Sequence, residues 1–338
     1  MPYFLPVVFF SALLLTGLFA SHTNAESLPN ADESVVQQLR IKAEQGDAKA
    51  QNDLGVMYAN GDGVAQDDKQ AAFCFRKAAE QGYAEAQLIL GLMYNEGRGD
   101  LAKDYSQAVA WFRKAAEQGL AMAQYNLGVM YANGKGVTQD DEQAVAWYRK
   151  AAEQGEAIAQ NNLAAMYANG EGVPQDDKQA AFWYRKAAEQ GLPTAQNNLG
   201  AMYISGEGVV QDDKQAIAWY HKAAEQGYAE AQNNLGVMYA NGKGSAQDDK
   251  QAVYWFRKAA EQGEAIAQFN LGGMYFNGTG VPKDYAQAYM WTSLAAAQEL
   301  EKAVTTRDSL VKALTPKQIQ EGRQLVREWI ATHPQVGQ

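Results

Sequence analysis

The feature that most constrains this chain is a short pattern that recurs at a nearly constant spacing. Tryptophan recurs with a period of 36 residues, at Trp111, Trp147, Trp183, Trp219, Trp255 and Trp291. The tetrapeptide AEQG keeps this period, with one step of 37 residues, and ends at Gly46, Gly82, Gly119, Gly155, Gly191, Gly227 and Gly263. Such a period is typical of stacked supersecondary units, each of which needs its neighbours to bury an apolar face. We therefore expect one repetitive array in a chain of 338 residues.

The first half of each unit has the pattern of an amphipathic helix. In residues 47–82, Ala50, Leu54 and Tyr58 follow one another at four-residue steps and so fall on one helical face. Gly61 comes next, and glycine tolerates the left-handed conformation that ends many helices. We expect a first helix that ends near this glycine.

The second half of the unit predicts a second helix. Asp67 precedes Gln70 by three residues, which is an acidic version of the capping box that starts a helix. Phe75 lies on its apolar face, and Gly82 ends it. Small residues such as Gly55 permit close packing of the two helices. Each unit is therefore predicted to be a helix hairpin, and the chain to be all-α.

The hairpins account for most of the chain. Seven repeats fit between residues 47 and 299, and residues 34–46 resemble a second helix without its first, so we expect an N-terminal capping half-repeat there. After residue 299 the pattern changes, and residues 300–331 read as C-terminal capping helices. Capping elements of this kind cover the apolar face of a terminal repeat.

The N-terminus has a different composition. The stretch from Tyr3 to Ala20 is almost wholly apolar, and the first Lys or Arg is Arg40. Small residues follow, so we expect a signal peptide over residues 1–25, a linker over 26–33, and export to the periplasm or the medium. An uncleaved membrane anchor is the alternative, since 18 apolar residues are just enough to span a bilayer.

Together these motifs resemble a known repeat. The pattern A-x-A-Q-x-x-L-G-x-M-Y-x-x-G-x-G-V-x-x-D, followed by A-x-x-W-Y and A-A-E-Q-G, is similar to the Sel1-like repeat, a relative of the tetratricopeptide repeat. The resemblance covers residues 34–331. It implies a right-handed α-solenoid of seven repeats that works as an adaptor for protein complexes, often exported in bacteria. It does not imply an enzyme.

Charge and composition narrow the class of partner. The formal net charge is −10, and no basic run stands out. Nucleic-acid binding draws on clustered Lys and Arg, so this balance argues against it. After the N-terminal segment, no stretch is apolar for long enough to cross a bilayer. We expect the partner to be a protein or an extended peptide.

Sequence motifs for metals, cofactors and catalysis are lacking. His221 and His333 stand apart from other ligand types, and the glycine loops lack the Lys-Ser/Thr of phosphate-binding loops. Cys74 occupies the position of tryptophan in later repeats and reads as a small buried apolar residue. We therefore predict no catalytic, cofactor-binding or metal-binding residue.

A hydrolase that acts on β-lactams or cell-wall peptides is the alternative function. The resemblance suggests it, because a related secreted group with paired cysteines has been credited with β-lactam binding or hydrolysis. Ser309 and Lys312 match S-x-x-K, but the S-D-N and K-T-G motifs are absent, and so are the paired cysteines.

Asparagine recurs on the first helices, beside the apolar face. The positions are Asn126, Asn162, Asn198, Asn234 and Asn270, which we call the asparagine row. First helices usually line the concave side of a superhelical array, and an Asn side chain both donates to and accepts from a peptide backbone. We predict that this row binds the partner. The alternative is that these side chains cap helices or bridge neighbouring repeats.

The tryptophans have two interpretations as well. A Trp-Tyr or Trp-Phe pair in each repeat is typical of a core between repeats, and we expect the tryptophans to be buried there. Exposed tryptophans would instead favour binding of a cell-wall glycan.

Overall fold

Seventeen α-helices and no β-strand make up residues 33–333, the part of the chain that the computed structural model describes. In chain order they are α1 Glu33–Glu44, α2 Ala48–Asn60, α3 Asp68–Glu80, α4 Ala84–Glu96, α5 Tyr105–Glu117, α6 Ala121–Asn133, α7 Asp141–Glu153, α8 Ala157–Asn169, α9 Asp177–Glu189, α10 Pro193–Ser205, α11 Asp213–Glu225, α12 Ala229–Asn241, α13 Asp249–Glu261, α14 Ala265–Asn277, α15 Tyr285–Ala297, α16 Glu301–Ala313 and α17 Pro316–Thr332. The predicted all-α solenoid of helix hairpins is confirmed. The predicted signal peptide, and the alternative anchor, lie outside the described residues.

Each of the seven repeats contributes a helix A and a helix B. The A helices are α2, α4, α6, α8, α10, α12 and α14, and the B helices are α3, α5, α7, α9, α11, α13 and α15. The chain divides between Asp176 and Asp177 into two compact units. The first unit contains α1 to α8, and the second contains α9 to α17.

Helices A and B of a repeat pack through an aromatic ring that lies against a glycine. Phe112 of α5 is 1% exposed and lies so close to Gly91 of α4 that a Cβ atom there would be 2.6 Å from the ring. The same contact joins Gly55 to Phe75, Gly128 to Tyr148, Gly200 to Tyr220 and Gly236 to Phe256. The predicted role of the small residues in close packing is confirmed, because a side chain on helix A would displace the ring.

The buried ring is the residue after the tryptophan, which corrects the prediction that the tryptophans form the core. Trp255 and Trp291 are buried, but four others are only half-buried: Trp111, Trp147, Trp183 and Trp219. Successive residues of a helix point about 100° apart, so only one of two adjacent rings can face helix A. In three repeats a lysine three residues later covers the other ring: Lys114 Nζ lies 4.0 Å from the centre of the Trp111 ring, and the same contact forms at Trp147 and Trp219.

A glutamine network connects each repeat to the one before it. Gln124 of α6 donates through Nε2 to the carbonyl of Ala116 at 3.1 Å, and accepts from Gln154 Nε2 at 2.7 Å. The same pair of bonds forms at Gln87, Gln196, Gln232 and Gln268. The network accounts for the glutamines of both A-x-A-Q and AEQG. It supplies hydrogen-bond donors to backbone carbonyls at the end of a B helix, which are buried from water.

The B helices begin with a one-sided cap instead of the predicted capping box. Asp67 accepts from the backbone N–H groups of Lys69 at 2.9 Å and Gln70 at 3.1 Å. In this part of the structure, the Gln70 side chain does not return a bond to Asp67. The reason is that the Asp67 N–H already donates to the carbonyl of Tyr58 in helix A, at 2.9 Å. The cap therefore also fixes the loop between the two helices.

The loop between the helices requires glycine at two positions. Gly134 ends α6 with φ of 63°, in the left-handed region, as the sequence predicts. Gly136 has φ of 70°, and a Cβ atom there would overlap the Tyr105 carbonyl of the preceding B helix. The decapeptide LGVMYANGKG, which occurs at both 127–136 and 235–244, is therefore the end of a helix A and its loop.

Two further helices follow the last repeat in the second unit. The α17 helix opens with a capping box, in which Thr315 accepts from the Gln318 N–H and the Gln318 side chain accepts from the Thr315 N–H. Trp329 of α17 lies edge-on to Trp291 of α15, with ring centres 6.2 Å apart. This contact covers the apolar side of the last B helix.

Candidate peptide-binding face

In the first unit, Asn162 belongs to the packed interior. It is 3% exposed and accepts from Asn161 Nδ2 at 3.3 Å. Burial raises the pKa values of the Tyr125 and Tyr148 hydroxyls above their ordinary range, and a hydrogen bond of each with the Asn162 side chain acts in the opposite direction. A ligand could reach Asn162 only if some of these contacts were broken.

Asn126 and Asn198 are more accessible members of the asparagine row. Both are half-buried. Asn126 donates through Nδ2 to the carbonyl of Met122 in the same helix at 2.8 Å. Asn198, in the second unit, makes no side-chain hydrogen bond to any described residue. Its amide therefore has both a donor and an acceptor that a ligand can use.

Asn234 and Asn270 bridge neighbouring A helices of the second unit. Asn234 Nδ2 donates to Asn197 Oδ1 at 3.0 Å, and Asn270 Nδ2 donates to Asn233 Oδ1 at 2.9 Å. This is the bridging role that the sequence leaves open. Both residues are half-buried, and the side-chain oxygen of each accepts no bond from the described residues. These oxygens can accept the N–H groups of a bound peptide.

Sequence reasoning missed the buried asparagines that precede members of the row, two of which, Asn197 and Asn233, accept these bridges. Asn161, Asn197 and Asn233 are 1%, 2% and 5% exposed, so each lies on the packed side of its helix. The signal was present in the doublet Asn-Asn, which occurs in three consecutive repeats. Its first member is one helical step nearer the core, where a polar side chain needs a hydrogen-bonding partner.

A pocket of about 420 Å³ adjoins the row at Asn270. It is lined by residues of α14, α15 and α16, including Gly273 and Thr292. Sequence reasoning missed it, although both residues depart from the pattern of the other repeats. Thr292 stands where other repeats have Phe or Tyr, and Gly273 stands where they have Val, Leu or Ala.

Cys74 and Ser309, the two residues that could act as nucleophiles, are both held in contacts that stabilise the fold. Cys74 is 6% exposed, and burial raises the pKa of its thiol to about 11, so the thiol is neutral at pH 7. The Ser309 hydroxyl donates to the Thr305 carbonyl at 3.0 Å, and among the described residues no hydrogen bond joins Ser309 to Lys312. The S-x-x-K match therefore lacks the contact that would activate a serine.

Metal ligands and membrane spans were sought in the same residues. Between residues 33 and 333, no three His, Cys, Asp or Glu side chains cluster closely enough to hold a metal ion. The Nδ1 atom of His221 lies 3.4 Å from Oε1 of Glu225, and the imidazole ring lies beside the ring of Trp255. Over the same range, no helix has both the length and the apolar character needed to cross a membrane.

Comparison with known proteins gives the family. The model of the Sel1 repeat matches seven consecutive segments, at residues 48–83, 84–120, 121–156, 157–192, 193–228, 229–264 and 265–300. No protein in the curated set matches the sequence.

Two solved structures are similar over most of their length. A Sel1 repeat protein from Oxalobacter formigenes is 39% identical, with 84% of this chain and 83% of that chain covered and a TM-score of 0.68. The protein c5321, a protective antigen present in uropathogenic Escherichia coli strains that displays an SLR fold, is 31% identical, with 91% and 96% covered and a TM-score of 0.52. The seven matched segments and these two relatives establish that the chain belongs to the Sel1 repeat family.

Proposed function

We propose that this protein is an interaction scaffold that binds a protein partner through an extended peptide along its A helices. Sel1 repeats build scaffolds of this kind, and the net charge of −10 favours a partner that is not a nucleic acid. The A helices carry few charges but many amides, which suit a peptide backbone better than a charged ligand.

Asn198 is the observation that carries this proposal. Its half-buried amide makes no hydrogen bond to the described residues, while Asn234 and Asn270 each keep an acceptor after bridging to the preceding repeat. Partly buried amides held on helices are pre-organised, so a peptide that bonds to them loses little side-chain entropy of the scaffold.

The test is to measure affinity and stability together for two asparagine variants. The partner is first captured from the bacterial envelope and identified by mass spectrometry. Asn198→Ala should then weaken binding about two- to tenfold for each hydrogen bond lost, with little change in unfolding. Asn162→Ala is the matched control, because this buried side chain should affect stability and leave affinity nearly unchanged.

The opposite result would reject this site. If Asn198→Ala lowers the melting temperature and leaves affinity intact, the row serves the scaffold alone. The binding site would then be sought at the loop tips, at Lys135, Glu171, Glu207 and Lys243.

Export is the second part of the proposal. The apolar N-terminal stretch and the small residues after it support this part. Expression in a Gram-negative host should give a periplasmic or secreted protein whose measured mass corresponds to a chain without residues 1–25. A full-length mass in the membrane fraction would support the anchor instead.

The hydrolase alternative receives no support from the surroundings of Ser309. Nitrocefin turnover by the purified protein tests it directly. Robust turnover that is lost in Ser309→Ala would replace the scaffold proposal with an enzymatic one.

A further inference from the structure

The last repeat lacks the ring that fills the space between helices A and B elsewhere. The ring belongs to Phe75, Phe112, Tyr148, Tyr220 and Phe256 in other repeats, each at most 5% exposed. At the equivalent position of α15, the last repeat has Thr292. The glycine that accepts the ring is nevertheless retained as Gly272, and a Cβ atom there would lie 2.6 Å from Thr292 Oγ1.

A second loss of side chain occurs on α14 beside this glycine. Gly273 replaces a residue that is Val56, Leu92, Val129, Ala165, Ala201 or Val237 in the other repeats. A Cβ atom on Gly273 would meet no atom within 4 Å, so open space lies there. A glycine in the middle of a helix costs about 0.5–1 kcal/mol relative to alanine, and nothing in the local packing of the helix requires it.

These two positions line the pocket of about 420 Å³, within the range of about 300–1,000 Å³ that is usual for sites of small organic groups. Phe269, Phe276 and Leu310 supply apolar and aromatic walls. Thr292 is 2% exposed, and its hydroxyl makes no hydrogen bond to the described residues. A ligand with a polar tip would give this hydroxyl a hydrogen-bonding partner.

The charge of the neighbouring surface adds a second requirement. Glu264 and Glu230 lie at the starts of α14 and α12, and Glu264 precedes Asn270 by six residues, or about 9 Å along the helix. The Glu264 carboxylate caps α14 by accepting from the Ala267 N–H, and a peptide that extends from the pocket toward the starts of the two helices approaches both carboxylates. Lys or Arg at this point of the peptide would complement these carboxylates, and a basic peptide would also complement the protein's net charge of −10.

We propose that this pocket binds one aromatic side chain, tyrosine or phenylalanine, of a basic extended peptide that lies along α12 and α14. The inference rests on the proposed function and specifies its partner. The ligand ring takes the place that the repeat's own ring takes elsewhere, with Phe269 and Phe276 available for edge-to-face contacts. A tyrosine hydroxyl would also bond to Thr292.

The probe is a set of capped seven-residue peptides with two lysines and a central residue that is tyrosine, phenylalanine, leucine or alanine. Binding to the purified protein is followed by NMR through the amide signal of Gly273. The tyrosine and phenylalanine peptides should bind at least about tenfold more tightly than the alanine peptide, because burial of an aromatic ring in the pocket favours binding by more than this factor. Equal binding of the alanine peptide would overturn the proposal, and equal binding of the leucine peptide would overturn its aromatic preference.

Filling the pocket provides the matched test. Gly273→Val places atoms in the open space and should weaken binding of the tyrosine peptide at least about tenfold. Ala201→Val makes the same kind of change at the equivalent position of another repeat and should have no effect. Thr292→Phe, which restores the ring of the other repeats, is a second filling variant, and circular dichroism verifies that each variant is folded. Unchanged affinity in both filled variants would overturn the proposal.

The two proposals fail in different ways. If binding of the captured partner is weakened by Asn198→Ala but not by Gly273→Val, the asparagine row binds the partner and the pocket does not. If Gly273→Val abolishes binding of the captured partner and Asn198→Ala leaves it intact, the pocket is a binding site and the proposed face is wrong.

Discussion

The sixth and seventh repeats lie side by side in the second unit and share one framework. Gln232 donates to the Ala224 carbonyl at 3.0 Å, and Gln268 donates to the Ala260 carbonyl at 3.2 Å. The loops are also equivalent, because the N–H of each B-helix capping aspartate donates to a tyrosine carbonyl of helix A at 3.0 Å in both repeats. The hydrogen bonds that define the repeat are therefore the same in the two.

The two repeats differ in the side chain that fills the space between helices A and B. Phe256 lies against Gly236 in the sixth repeat, whereas Thr292 and a pocket occupy the equivalent place in the seventh. The framework bonds end on backbone groups, so they form whatever side chain fills the space. The filling residue can therefore change without changing the fold, and this freedom is what allows a repeat to acquire a binding site.

The largest expected effect comes from removing the filling side chain where it is present. Phe256→Ala should lower the free energy of unfolding by about 3–5 kcal/mol, because it removes a buried ring and leaves a cavity. Thr292→Ala should cost less than about 1.5 kcal/mol, because it removes only one methyl and one hydroxyl group from the wall of the pocket. Hydrogen exchange of α12 to α15 measures both, and the loss should be concentrated in adjacent repeats.

Similar losses for the two variants would contradict the comparison. They would mean that Thr292 packs as well as Phe256 does, and that the pocket is filled in solution by movement of its walls.

A smaller effect is expected from the framework itself. Gln268 is fully buried, and Gln268→Ala leaves the Ala260 carbonyl without its donor, which should cost about 1–3 kcal/mol. Asn270→Ala removes a half-buried bridge and should cost about 0.5–1.5 kcal/mol. Urea denaturation followed by circular dichroism compares them. A larger loss for Asn270 than for Gln268 would assign the framework role to the asparagines.

The smallest effect is expected where a side chain is exchanged at the edge of the pocket. Gly273→Val should change stability by less than about 1 kcal/mol, in the stabilising direction, because valine is the better helix former and its Cβ atom meets no atom within 4 Å. The reverse exchange, Val237→Gly, should be destabilising by a similar small amount at this partly exposed position. Thermal unfolding of the two variants checks the opposite signs. Destabilisation by Gly273→Val would show that the space is not open.

The sequence predicts the helix hairpins well because each of their parts repeats. Gly134 at the helix end and Asp67 at the helix start are local signals, and the period multiplies them. Four of the six periodic tryptophans were assigned wrongly to the core because two adjacent aromatic residues give nearly the same periodic signal. Only the orientation of helix B, set by the glycine on helix A, decides which ring is buried.

The candidate site was less predictable because it depends on exceptions to the repeat. Thr292 and Gly273 are visible as departures, but α16 supplies the rest of the pocket and follows no periodic pattern. The environment of Asn162 depends on Tyr125, which replaces a residue that is Asn in four other repeats. Such differences between copies mark the places where a repeat protein acquires its individual properties.

Hydrogen exchange of the second unit with and without the captured partner tests most directly the claim that the A helices bind it. We expect bound partner to slow exchange in α10, α12 and α14, with the strongest protection in α14 beside the pocket, and to leave α11 and α13 unchanged. Protection confined to the B helices or to the loop tips, with α10, α12 and α14 unaffected, would contradict the account.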